Sequence, residues 1–283
     1  MSNQELFKSS TARCSHVRNL YFWEQRPQFV PGSVVFITGA ASGIARQSAR
    51  IYASRGARLV LCDFNGSELV SAVDECRRIA AESRKPSPDP AALKSLTNGK
   101  GKTADEIREF FMRSNEQIIG IVVDVTDQAQ CKAFIDAGVG RFGRIDVLLL
   151  CAGIGAHNVF TRTQSLDIFR RCIDVNYYGY LYCAHAAFKW LAQSHGVLTA
   201  ITSFSGEVGL PYRTAYCASK FAVTGFLEAL RSEMMGTTGT PAFDVVIVCP
   251  PTTNTNLRAN SLTTDPTIKS GTYLTGEQSV CFC

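Results

Sequence analysis

Apolar positions along the chain alternate between short unbroken runs and longer stretches of helical composition. The first run, Val34 to Thr38, is β-branched and carries no charged break, the content a parallel strand buried on both faces requires. A turn of small residues bracketed by Gly39 and Gly43 follows, then a helical segment from Ile44 to Arg55 that stops at Gly56. A second apolar run spans Arg58 to Asp63, and others begin at Ile118 or cover Ile145 to Leu150 and Phe243 to Cys249. Tyr177 to Leu191 is the longest apolar stretch, but His185 and Lys189 interrupt it, so it reads as a buried helix.

Two regions do not fit this rhythm. Residues 83–117 are an insertion where compact connections take only a few residues. It opens on the turn-forming RKPSPDP, passes through NGKGK, and offers Thr103 as the N-cap of a short helix from Ala104 to Asn115. The last 28 residues, 256–283, are rich in Thr, Ser and Asn and have little apolar periodicity.

Composition narrows the class. With 283 residues, 46% of them hydrophobic and 19% charged, the chain can bury one large α/β core and is too short for two generous domains. The net charge of +5 comes without a basic block suited to nucleic acid. The eleven cysteines are dispersed, and no CxxC pair or Cys/His cluster has zinc spacing, so buried thiols in a reducing, cytoplasmic compartment are expected and no metal site is. Residues 1–32 form an N-terminal extension with Lys8, Arg13 and Arg18 but no apolar core of a secretory signal, which leaves organelle targeting open. Lipidation of Cys281 or Cys283 stays open too, although valine holds position 280, where a prenylation box needs its cysteine.

Candidate chemistry sits at both ends of this core. A small-residue turn between a strand and a helix lets backbone N–H groups approach a pyrophosphate, and Asp63, twenty residues after Gly43, suits a carboxylate that bonds ribose hydroxyls. A 2′-phosphate would meet Asp63 as like charge, so NAD(H) is favoured over NADP(H). Near the other end, Tyr216 and Lys220 are spaced to share a helix face, which would let the ammonium favour the ionised phenol. A phenol tuned down from about 10 can serve as acid or base toward an alcohol or ketone. Ser203, thirteen residues earlier at a strand end, could hold the substrate oxygen, and His157, just past the fourth strand, is a candidate for the cleft wall.

With these motifs in hand, the chain resembles the short-chain dehydrogenase/reductase family from about Ser33 to Thr255. That family's TGxxxGxG turn stands here as Thr38 to Ala45, with alanine in place of the last glycine, and its NNAG stands as Leu150, Cys151, Ala152 and Gly153. The resemblance implies a Rossmann-like, doubly wound parallel sheet in the order 3-2-1-4-5-6 over residues 33–255, and a dimer formed through the Asn176 and Tyr216 helices. It implies a catalytic set of Asn176, Ser203, Tyr216 and Lys220. Cofactor contacts are implied from Gly39, Ser42, Gly43, Ile44, Asp63, Asp124, Val125, Ala152, Gly153, Tyr216, Lys220 and Thr255. The implied reaction is hydride transfer between a nicotinamide cofactor and a secondary alcohol or ketone, with GLPYRTAY suiting a lipid-like, steroid-like or retinoid-like substrate. In the family the Asn176 position also holds a water that links the lysine to solvent. Pro250-Pro251 replaces the family's PG turn, and the tail is too short for lid helices and a seventh strand, which leaves the sixth as an exposed edge. Two rival readings remain: a dinucleotide-binding regulatory or scaffold protein with little turnover, and an NADP(H)-dependent reductase in which Arg46 bends to the 2′-phosphate.

Overall fold

The first apolar run becomes the centre of a six-stranded sheet. In a computed structural model that describes residues 30–83, 117–234, 243–251, 257 and 260–263, β1 (Val34–Thr38) is buried at every position. Its even and odd residues serve opposite layers, as the two-residue period of a strand demands. Val34 and Phe36 join a core with α3 (Gln128–Phe142), α5 (Gly179–Ser194) and α6 (Thr214–Ser232). Val35 and Ile37 join another with α1 (Gly43–Ser54) and α2 (Gly66–Ser83).

The strands β2 (Arg58–Asp63), β3 (Ile118–Val122), β4 (Val147–Leu150), β5 (Val197–Ile201) and β6 (Asp244–Val248) complete the sheet, in the order β3-β2-β1-β4-β5-β6 with every pair parallel. This is the expected order. Its reversal between β1 and β4 opens a crevice at the carboxyl edge, where ligands bind to sheets of this kind. β4 starts two residues later than the apolar run suggested, because Asp146 is spent on its neighbours: its carboxylate accepts the Val34 N–H at 2.8 Å and its carbonyl the Val197 N–H at 2.8 Å. Among the described residues β6 pairs only with β5, so it is an edge.

The layers approach closely. A Cβ on Gly138 of α3 would lie 2.4 Å from the Phe36 ring, which itself meets Phe134 edge-on at 5.5 Å. Full burial of such a ring is worth roughly 1.5–3 kcal/mol. α3 starts at Asp127, whose carboxylate accepts the Ala129 and Gln130 N–H groups, and ends at the left-handed Gly143. The long apolar stretch appears as α5, preceded without a break by α4 (Asp167–Ile173) and a π-turn over Asp174–Tyr178.

No seventh strand is present among the described residues, and beyond β6 the chain makes an isolated bridge to the loop after β4. Leu262 bridges to Ala156, with His157 N–H donating to the Leu262 carbonyl at 2.9 Å and Leu262 N–H to the Gly155 carbonyl at 2.8 Å. The N-terminal extension through residue 29, the insertion helix at 104–115, Thr255 and the last twenty residues lie outside the described residues. No described helix is long and apolar enough to cross a membrane.

Candidate active site

The glycine turn is built by close approach. Gly39 takes φ +70°, and a Cβ there would lie 2.8 Å from Ala152 Cα and 2.9 Å from its nitrogen. Glycine therefore lets the turn after β1 abut the loop after β4. The Thr38 hydroxyl ties the same two strand ends, accepting the Cys151 and Ala152 N–H groups at 3.0 and 3.2 Å. Gly43 also has positive φ, and Ser42 precedes α1 with its hydroxyl making no cap. Ala45 is fully packed into the core below, so a methyl group is accommodated where the family pattern has glycine. Ile44 is half-buried at the same helix start.

Asp63 closes this corner. Its Oδ2 accepts the Ala41 N–H at 3.0 Å and its Oδ1 the Asn65 N–H at 2.9 Å. Asp124, at the end of β3, turns on itself by accepting the N–H and hydroxyl of Thr126 at 2.9 and 2.7 Å, which leaves the helix cap to Asp127. Val125 is buried against Gly179, where a Cβ would come within 2.9 Å of it. Arg46 is fully engaged: Nε meets Glu75 at 3.0 Å, Nη1 the Ala41 carbonyl at 3.2 Å and Glu68 at 3.4 Å, and Nη2 Ser71 at 2.9 Å. Arg50 pairs with the other oxygen of Glu75.

Across the crevice, β5 delivers Ser203 and the first turns of α6 deliver Tyr216 and Lys220. Tyr216 is 5% exposed and Lys220 2%. The ammonium donates to the Ile201 carbonyl at 3.3 Å and lies 5.3 and 5.8 Å from the Tyr180 and Tyr216 ring centroids. Asn176, wholly buried in the π-turn, brackets the backbone of Ile154, accepting its N–H at 2.9 Å and donating to its carbonyl at 3.0 Å. The same amide donates to Ser219 Oγ at 2.9 Å, and Ser219 donates to the Tyr216 carbonyl at 2.8 Å. Asn176 thus joins the loop after β4 to the helix that carries the phenol.

The electrostatics differ from the expectation that Lys220 lowers the phenol. Burial pushes Tyr216 above its usual 10.0, against the opposing pull of the Ser203 hydroxyl and the Arg213 guanidinium, which sits 5.7 Å from its ring. Burial also pushes Lys220 itself down to about 8, although the nearby Cys151, Cys172 and Cys249 thiols act to raise it. Both groups lose hydration on burial, and for each that loss is the largest cause of its shift. With its pKa raised by burial, the phenol is a protonated donor at neutral pH.

The Lys220 shift carries a stability prediction. The folded value of about 8 lies below the ordinary 10.5, so between those limits the unfolded chain holds a proton the folded chain has released. Stability from this residue therefore rises with pH across about 8 to 10.5 and is flat below. Urea midpoints should show that rise in the wild type relative to Lys220→Met. Parallel pH profiles of the two would show that Lys220 is not the group responsible.

A match to known proteins now decides the family. The family model for short chain dehydrogenases matches residues 33–89 and 90–266. The chain belongs to this family. The chain is 32% identical over 243 residues to an Arabidopsis thaliana protein named 11-beta-hydroxysteroid dehydrogenase-like 6, covering 86% of this chain and 57% of that one. It is 31% identical over 244 residues to dehydrogenase/reductase SDR family member 7B of Bos taurus, covering 86% and 65%. The chain therefore spans less than two thirds of the length of either relative. Among solved structures, a Burkholderia phymatum short chain dehydrogenase/reductase in complex with NAD has the same fold, with TM-score 0.65 and 23% identity over 88% of this chain and 75% of that one.

The structure brings Asn176, Ser203, Tyr216, Lys220, Ala152, Gly153 and the Gly39 turn to one crevice. Asp63, Asp124 and Val125 line the neighbouring strand ends. Thr255 lies outside the described residues. Three contributors escaped the sequence reading: Ser219, Tyr180, whose hydroxyl donates to the Ile201 carbonyl at 2.7 Å, and the segment at Leu257 and Leu262. Ser219 had a local signal, three residues after Tyr216 on the same helix, whereas the others join residues far apart in the chain. Candidate His157 is buried, its N–H held by Leu262.

Proposed function

We propose that this chain is an NAD(H)-dependent oxidoreductase that interconverts a secondary alcohol and a ketone on an apolar, steroid-like or similarly lipid-like substrate. The observation that carries the reading is the convergence of Ser203, Tyr216, Lys220 and Asn176 at the switch point beside the Gly39 turn. The residues fit a dinucleotide. The contact at Gly39 leaves no side chain over the turn, Ser42 keeps its hydroxyl uncommitted to a cap, and α1 presents its N-terminus to a pyrophosphate. Gly39, Ser42, Gly43 and Ile44 would hold the phosphates, Asp63, Asp124 and Val125 the adenosine, and Ala152, Gly153 and Lys220 the nicotinamide half. When bound, the cofactor supplies the hydride or accepts it.

The chain's own residues handle the proton. Tyr216, kept protonated by burial, donates its phenolic proton to the substrate oxygen in reduction and recovers it in oxidation. Ser203 orients that oxygen with its hydroxyl, and Lys220 supplies positive charge under the crevice as the phenol ionises. Asn176 fixes the loop that carries Gly153 and Ile154. The substrate class is supported by exposed Phe160, Leu166, Phe204, Val208 and Tyr212 on the loops after β4 and β5, and by the hydroxysteroid dehydrogenase-like relatives. Such a rim favours a largely apolar guest.

The cofactor preference follows from two contacts. Asp63 repels a 2′-phosphate, and Arg46 would have to leave Glu68 and Glu75 to reach one. Fluorescence titration should show NADH binding at least about tenfold tighter than NADPH, and Asp63→Ala should narrow that gap mainly by strengthening NADPH. An Asp63→Ala chain with unchanged NADPH affinity removes the ribose role. A wild-type chain that binds neither nucleotide overturns the oxidoreductase reading.

A further inference from the structure

Tyr180, the second residue of α5, is 1% exposed and is the largest fully buried side chain among the described residues. Its hydroxyl donates to the Ile201 carbonyl at the end of β5 at 2.7 Å, and the Lys220 ammonium donates to the same oxygen at 3.3 Å. Its ring centroid lies 5.3 Å from that ammonium, with the Tyr216 ring on the same cation at 5.8 Å. A Cβ on Gly153 would lie 3.8 Å from Lys220 Nζ, so the ammonium also sits beside the loop after β4. One side chain therefore meets Lys220 twice, by its face and through a shared acceptor.

The two contacts act together. A carbonyl oxygen offers two lone pairs. The Tyr180 hydroxyl takes one at an ordinary O–H···O length, whereas 3.3 Å is long for a nitrogen donor. Burial pushes the Tyr180 hydroxyl well above its usual 10.0, so it stays a donor throughout the neutral range. The shared oxygen thus holds the ammonium loosely, and the ring face attracts the desolvated cation without fixing the direction of its N–H groups. The titratable groups that face Lys220 from the neighbouring elements are Cys151 after β4, Cys172 in α4 and Cys249 after β6, while Tyr180 also faces Cys183 and Tyr216. Tyr216 in turn faces Arg213 and Cys217. Burial holds Cys151 and Cys172 at about 11, and the bond with Cys131 holds Cys183 well above the usual thiol range, so these three stay neutral while Lys220 titrates.

We propose that Tyr180 is a positioning residue that keeps the Lys220 ammonium beside Tyr216, by sharing the Ile201 carbonyl and by presenting its ring face to the charge. The proposal rests on the oxidoreductase reading given above. Without the hydroxyl, the vacated lone pair draws the ammonium toward Ile201, which stabilises the charge there and weakens its effect on the phenol. Without the ring, the charge loses an attractive contact.

The test compares wild type with Tyr180→Phe, which keeps the ring, and Tyr180→Leu, which removes it. Lysine titration is followed by NMR of chains labelled with carbon-13 at lysine Cε, the Lys220 signal being the one missing in Lys220→Met. The expected result is a Lys220 midpoint raised from about 8 by roughly half a unit or more in Tyr180→Phe, and lower by a similar amount in Tyr180→Leu than in Tyr180→Phe. In alcohol oxidation, Tyr180→Phe should move the limb set by Tyr216 ionisation to higher pH, with turnover about three- to tenfold lower at neutral pH and within about twofold of wild type on the alkaline side. A packing defect would instead lower the rate by one factor at every pH and leave the lysine midpoint in place. Unchanged Lys220 midpoints, or a uniform loss of rate, overturns the positioning role and leaves the oxidoreductase reading intact. A wild type that binds neither NADH nor NADPH overturns that reading and any role of Tyr180 in turnover with it.

Discussion

Tyr216→Phe is expected to lower kcat by about a thousandfold while the Kd for NADH moves less than twofold. The substitution removes one hydroxyl and keeps the ring, which is 5% exposed and packs with Ala156, Ile168, Cys172 and Ala215. Packing therefore survives. What is lost is the proton donor, and positioned general acid–base groups are worth about 10²–10⁴ in rate. The missing hydrogen bond with Ser203 costs about 1 kcal/mol at most in stability, so the thermal midpoint should fall by only a few degrees. Single-turnover measurement on an alcohol that the wild type oxidises would separate the outcomes. Turnover within about tenfold of wild type would remove Tyr216 from the chemistry and leave the crevice as a binding site.

Gly39→Ala is expected to weaken NADH by at least about a hundredfold and to destabilise the fold. At φ +70° any L side chain is strained, by about 1–2 kcal/mol, and here the added methyl would meet Ala152 Cα at 2.8 Å. The obstacle is backbone held by the Thr38 hydroxyl, so it cannot swing aside as a flexible side chain could. Either the turn or the loop after β4 must shift, and a displacement near 1 Å at a preorganised site costs about a hundredfold. Ala45 gives the contrast within the same turn, since its methyl group already lies in the core without distorting α1. Calorimetry and nucleotide titration of the same variant would check both effects. Undiminished NADH binding would mean that the pyrophosphate does not lie over this turn.

The strands were legible because a buried parallel strand writes itself as an unbroken apolar run. β1 and β2 have the predicted limits, Val34–Thr38 and Arg58–Asp63, while β4 and β6 are shorter at their ends. The shortened ends are places where a side chain or carbonyl binds across the sheet, as Asp146 does to Val34 and Val197, and no run length reveals that. The tail was less legible. Its composition suggested too little chain for lid helices and a buried strand, and it did not show that Leu262 bridges to Ala156 in the loop after β4, two residues more than a hundred positions apart.

The sequence by itself determined the alternation of strands and helices, the glycine turn, and the four-residue spacing that puts Tyr216 and Lys220 on one helical face. These are local properties, set by periodicity and by the steric freedom of single residues. Only the tertiary structure decided the state of the site: a phenol pushed up, a lysine pushed down to about 8, Arg46 tied to Glu68 and Glu75, and Asn176 spent on Ile154 and Ser219. The reason is physical. Desolvation and pairing depend on which distant residues exclude water or supply a partner, and that is settled when β4, β5 and the helices close over one crevice.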